Sequence, residues 1–169
     1  MTPPTPIQLA RRRLFQKTHW ERFRSDLTSA LGIEPDLLRP IPAEETFARI
    51  GRIEGTITAG LSNGTLERTP ELPADEIAPR LGRHLLRAPG PDVSVWLCHH
   101  PELVFSAPLV SLEPVALALV DFDGDTVYAA SPDGTWGFGI DKYTSERSGQ
   151  IRYTFDCWPM AGASDMGRA

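Results

Sequence analysis

Cysteine is scarce in this chain of 169 residues: Cys98 and Cys157 are the only two. Two thiols, each inside a strand-like run, make no disulfide framework, so the sequence predicts buried free thiols and a reducing, cytoplasmic setting. Histidine is nearly as rare, with four residues, and no second Cys/His cluster accompanies Cys98-His99-His100, so a zinc site lacks ligands. No apolar run approaches the 18 residues of a membrane span, and the three arginines near the N-terminus are not followed by the apolar segment of a secretory signal. Gly-x-Ser-x-Gly, phosphate-loop and dinucleotide glycine fingerprints are missing. These gaps predict no metal, no cofactor and no membrane partner.

What is abundant is proline, 16 residues, which predicts many short elements and ordered loops. A hydrophobic share of 41% and a charged share of 23% are globular values, and the length suits a single domain over 1–169 with loose ends at 1–5 and 160–169. The net charge of −5 hides an asymmetry. Residues 1–32 carry six basic and two acidic residues; the remainder carries 11 basic and 20 acidic, a net of −9. An acidic body repels nucleic acid and attracts basic partners.

Periodicity predicts the elements. A short helix opens at Thr5-Pro6, carrying Ile7, Ala10 and Leu14. A second begins at Thr18, where Thr-x-x-Glu21 fits a capping box; it carries Trp20, Phe23, Leu27 and Leu31 on one face and ends at Gly32. Pro42 to Ile50 reads as a short helix stopped by Gly51, Ile53–Leu61 as a glycine-weakened strand, and Thr65–Pro73 as loop. Ala74–Arg87 reads as a helix, Asp92–His99 as a strand, and Leu103–Val110 as an edge strand at best. The C-terminal third reads as a meander of four runs: Val115–Val120, Thr126–Ser131, Trp136–Asp141 and Gln150–Trp158. The fold class is α+β, a mostly antiparallel sheet with helices packed on one face.

Two constellations invite chemistry. Asp121-Phe-Asp-Gly-Asp125 follows an apolar run, as in Asp-x-Asp phosphatases, but an extra aspartate separates its glycine from Thr126. As a calcium loop it has Thr126 where glycine is needed and Pro132 where glutamate is needed. The alternative reading is a hairpin turn in which Asp-Gly supplies the positive φ. Cys98 and His100 share a face if the strand is regular. A small hydrolase using Asp121 and Asp123, or Cys98 and His100, is therefore one alternative. The basic stretch Arg11-Arg12-Arg13 reads as a solvated helix face.

The run Ala118–Tyr128, with Ser131-Pro-Asp-Gly134 and Phe138–Tyr143, resembles the C-terminal half of small cytosolic bacterial immunity proteins. Those are encoded beside secreted polymorphic toxins and block them stoichiometrically; the SUKH superfamily is the best-known α+β scaffold of that kind. The resemblance covers about a quarter of the chain, leaves the N-terminal half unmatched and transfers no site residue. It implies a non-enzymatic protein binder. Acidic side chains at the meander's turns and strand ends, Asp121, Asp123, Asp125, Asp133, Asp141 and Glu146, are the candidate contacts with a toxin domain of basic surface. An adaptor or chaperone for a secreted effector is the third reading.

Overall fold

A computed structural model describes residues 4–100 and 103–159. The tail expected at 160–169, and residues 1–3 of the expected loose N-terminus, lie outside the described residues. Thr5 is not loose. It caps helix α1 (Pro6–Leu31), its hydroxyl accepting from Gln8 N while the Gln8 side chain accepts from Thr5 N.

α1 runs unbroken for 26 residues where two helices are expected. Thr18 does not cap a new helix; its hydroxyl donates to Leu14 O one turn back, at 2.8 Å, an arrangement that lets threonine sit mid-helix. No glycine or proline interrupts 7–31. Gly32 ends the helix in the left-handed region, φ 67°. After a two-residue strand β1 (Arg39–Pro40) comes α2 (Ala43–Asn63). It passes through Gly51 and absorbs the segment expected to be a strand from Ile53 to Leu61. Ile53 and Ile57, four apart, point to one side of this helix, and isolated glycines each cost a helix only about 1 kcal/mol. Gly60 is required: a Cβ there would lie 2.7 Å from Leu66 Cβ.

Strand β2 (Glu67–Leu72) replaces the loop expected there and pairs with the last strand. It is an edge strand, where Pro70 is tolerated, and Glu71, at φ 61°, marks its register shift. Helix α3 (Ala74–Leu85) and strand β3 (Asp92–Leu97) form as the pattern predicts, followed by β4 (Phe105–Pro108) and a single turn α4 (Leu109–Leu112). The next element corrects the meander. Residues Ala116–Asp123 are helix α5, not a central strand, and Gly124 caps it with φ 84°. The Asp121–Asp125 segment is therefore a helix C-terminus, not a hairpin turn. Strands β5 (Thr126–Ala130), β6 (Gly137–Thr144) and β7 (Ile151–Trp158) complete the meander.

The protein is thus α+β, built on an all-antiparallel seven-stranded sheet of order β1-β4-β3-β5-β6-β7-β2. One face holds the main core. Trp20, Phe23 and Leu27 of α1 lie there as expected, with Phe23 6.0 Å from the Phe105 ring and from the Phe122 ring, and α3 and α5 beside them. Helix α2 serves the second face, where Ile53 and Ile57 pack with Leu66, Ala130, Trp158 and the Trp96–Tyr128 stack. Among the described residues, no helix is long and apolar enough to cross a membrane.

Candidate functional site: the acidic end of the meander and the open sheet face

The last turn of α5 carries Asp121 and Asp123, and the left-handed Gly124 swings the chain into β5 so that Asp125 and Thr126 follow at once. β6 returns antiparallel with Asp141 opposite Thr126. Asp121, Asp125 and Asp141 thereby reach one end of the sheet. The Thr126 hydroxyl, with one proton to give, lies 3.1 Å from Asp125 Oδ1 and 2.9 Å from Asp141 Oδ1. Asp121 accepts from Lys142 Nζ at 2.7 Å, and this bond holds the lysine above its ordinary pKa.

Asp123 has a different task. It is buried, and its carboxylate accepts from the backbone N–H of His99 at 3.0 Å, joining α5 to the end of β3. Burial, the dominant influence, raises its pKa. His99 Nδ1 lies 2.6 Å from Asp123 O, so that nitrogen carries the proton and donates; this bond and the neighbouring carboxylates raise the His99 pKa. His99 Nε2 then faces Asp125 at 3.6 Å, gaining a charge only when the ring is protonated.

The other two candidates fall elsewhere. Glu146 is exposed in the loop beyond β6, past the same end of the sheet. Asp133 is at the opposite end, the length of β5 away, about 16 Å at 3.3 Å per residue. There it ties a turn together, accepting from Ser131 Oγ, Thr135 N and Thr135 Oγ1, and these bonds hold its pKa low. The six acidic residues therefore divide into a cluster of three, one buried strut beneath it, one outlier beyond it and one remote turn.

From the acidic cluster an uncovered strip of the second sheet face runs across β5, β6, β7 and β2. It contains a hollow of about 130 Å³ lined by Thr126, Tyr128, Asp141, Thr154, Asp156 and Arg68. Asp156, almost wholly buried, is gripped by Arg68 through two bonds of 2.7 and 2.6 Å. Sequence reasoning passed over this pair because only the β2–β7 register joins positions 88 apart. A signal existed in β7, whose polar residues Arg152, Thr154 and Asp156 alternate with Tyr153, Phe155 and Cys157.

The thiol–imidazole pair is not assembled. The chain turns after Leu97, so Cys98 and His100 do not share a face. Cys98 lies on the second face, its thiol pushed up to about 11 by burial first and then by Asp123, Asp125 and Asp141. His100 packs on the core side, 5.3 Å from the Phe23 ring and 6.0 Å from the Phe122 ring. Among the described residues no group of three or more His, Cys, Asp or Glu is placed to hold a metal ion. A larger groove of about 490 Å³, walled by Trp20, Ile41 and Pro42, lies between α1 and the start of α2; none of the candidate residues reaches it.

What this arrangement can do is accept hydrogen bonds. Fixed carboxylates, a threonine hydroxyl and a tyrosine on a rigid sheet suit lysine and arginine side chains of a partner. Comparison with protein-family models, with curated proteins and with solved structures finds no match to this chain.

Proposed function

We propose that the chain is a non-enzymatic protein-binding module of the bacterial cytoplasm that neutralises a toxin domain of basic surface by forming a one-to-one complex with it. The observation that carries this reading is the acidic cluster of Asp121, Asp125 and Asp141 continuing into a rigid, uncovered sheet face. Side chains on paired strands are held in place before binding, which lowers the ordering cost of complex formation. An interface of standard size buries about 1,600 Å² in total, more than the cluster alone offers, so the strip from Thr126 to Arg68 belongs to it.

The hydrolase reading has less support. A thiol at about 11 has little thiolate at neutral pH. Asp123 is spent on the His99 backbone and Asp121 on Lys142. No nucleophile in this set has a base beside it.

The test is co-expression with the product of the adjacent gene, followed by co-purification and association kinetics. The expected result is a one-to-one complex whose association slows in Asp121→Asn/Asp125→Asn and loses much of its salt dependence, with a smaller change in dissociation. Turnover of ester or phosphoester substrates by the isolated protein, abolished by Asp121→Asn or Cys98→Ala, would reject binding in favour of hydrolysis. A complex with a secretion-apparatus component instead would assign an adaptor.

A further inference from the structure

Helix α3 crosses over β7 near the sheet edge, and two of its arginines, Arg80 and Arg83, gather on one side with Arg87 of the turn that follows it. His84 fixes the height of the helix there. It is buried, stacks on Trp136 at 4.6 Å and 7°, and donates through Nε2 to Gly137 O at 2.9 Å. On the neighbouring edge strand Glu67 stands opposite Cys157. A hollow of about 140 Å³ remains between the helix and these strands, bounded by the three arginines, His84, Glu67 and Cys157.

The donors around this hollow are under-used. Arg80 reaches Glu76 through Nη2 at 3.3 Å, but its Nε is buried with no acceptor among the described residues, an arrangement that destabilises unless something supplies one. Arg83 and Arg87 are exposed and have no ion-pair partner among the described residues. The negative end of a helix is worth about half a charge, which accounts for one cation in the last turn and leaves the others over. Among the described residues, Glu67 is the one carboxylate on the rim. In a chain of net charge −5, this is a local reversal of sign, at the other side of the sheet from the acidic strip.

We propose that this hollow binds a phosphate-sized oxyanion, either free phosphate or the phosphate of a small phosphomonoester, between the guanidinium groups of Arg80, Arg83 and Arg87. Planar guanidinium forks match phosphate oxygens two at a time. The volume is well below the roughly 300–1,000 Å³ of drug-sized sites and suits one tetrahedral anion. Burial, then the charge of Arg87, holds the His84 pKa below its ordinary value; an anion beside it would move that value back up, so the buried ring reports occupancy. This inference does not depend on the toxin-binding reading.

The experiment is a titration of the intact protein with inorganic phosphate at constant ionic strength, followed by the NMR signals of His84 and the Trp136 indole. The expected result is saturable shifts at low millimolar phosphate, with affinity reduced by about tenfold or more in Arg83→Gln/Arg87→Gln through loss of charge-assisted bonds. Both positions are exposed, and an unshifted Trp136 signal in the anion-free variant certifies its fold. Glycerol phosphate binding as well as phosphate identifies a phosphomonoester site; phosphate binding alone identifies a free-phosphate site. Shifts that do not saturate, that chloride reproduces, that acetate produces at lower concentration, or that survive unchanged in the double variant overturn the proposal.

Discussion

Gly137 and Gly139 of β6 face the second side of the sheet, and the sequence suggests close approach of another backbone there. What approaches is an aromatic ring at each glycine and, at Gly137, a backbone carbonyl as well, and the two glycines differ in a way that can be measured. A Cβ on Gly137 would lie 2.4 Å from Trp158 Cζ2 and 2.7 Å from the Ala129 carbonyl oxygen, against 3.4 Å for ordinary contact. Trp158 cannot yield: it is 1% exposed and its Nε1 donates to Gly134 O at 3.1 Å. The carbonyl belongs to the β5 ladder and cannot yield either. Replacing glycine by alanine where there is room gains about 0.4–1 kcal/mol from the unfolded chain. Overpacking costs about 1–3 kcal/mol and a lost indole bond about 1 kcal/mol more, so Gly137→Ala should lose about 3 kcal/mol.

At Gly139 the close atoms are Tyr128 Cε1 and Cδ1, at 2.6 and 2.7 Å, and the next neighbour is Asp156 Cβ at 3.7 Å. Tyr128 is half-buried and can swing outward, so Gly139→Ala should lose about 1 kcal/mol, the low end of overpacking. Urea unfolding at constant m-value measures both. Double mutants separate the causes. Tyr128→Ala should remove most of the Gly139→Ala penalty, whereas Trp158→Ala should leave Gly137→Ala destabilised because the Ala129 carbonyl remains. If Gly137→Ala falls within about 0.5 kcal/mol of the parent, or Gly139→Ala is the worse of the two, the packing argument is wrong.

Asp123 makes a prediction in pH. Its folded pKa is raised above the ordinary 3.8 by burial, so the folded state holds more protons than the unfolded one between the two values, and stability declines as pH rises through that interval. Asp123→Asn keeps an oxygen for the His99 N–H and has no charge to bury; urea unfolding should show it gaining on the parent from pH 4 upward, and a constant difference would refute the assignment. Arg68→Ala should cost about 1–2 kcal/mol by leaving buried Asp156 without its two bonds, below the loss for a fully buried pair because the Arg68 side chain is 47% exposed. Cys98, at about 11 against 9.0 for the ordinary thiol, should react with a disulfide reagent at pH 8 on the order of 100-fold more slowly than an exposed cysteine; a fast reaction would revive the thiol nucleophile.

The elements that differ from expectation each lack the one signal that would decide them. Wherever the residues alternate with period two and one face is buried, the strand was legible: β3, β5, β6 and β7 all appear where the pattern puts them. Val115–Val120 is apolar at every position, and a run without period cannot choose between strand and helix. Alanine and leucine favour the helix, and Gly124 provides its left-handed cap. Ile53–Leu61 fits a glycine-weakened strand by composition, yet its isoleucines keep helical spacing and the segment is part of α2. Glu67–Leu72, polar and proline-bearing, has the composition of a loop and becomes a strand only because β7 offers it an open edge. In that case tertiary pairing decides what local sequence cannot.

The same division governs the acidic residues. Sequence could say that six carboxylates sit near turns and strand ends, but not how they divide among surface, buried strut and turn. Once α5 is a helix, Asp121 and Asp123 lie on its final turn, two residues apart and so on different sides. One faces Lys142 at the surface and the other is driven under the β3 end. Asp125 comes after the glycine cap, one residue ahead of β5, and reaches Asp141 through the hydroxyl of Thr126, the residue that pairs with Asp141 across the ladder. The carboxylates available to a partner are therefore those on or beside the sheet. Replacing Asp123 would read out folding, while replacing Asp121 and Asp125 would read out recognition; a loss of binding in Asp123→Asn at full stability, with none in Asp121→Asn/Asp125→Asn, would reverse that division and move the interface toward His99.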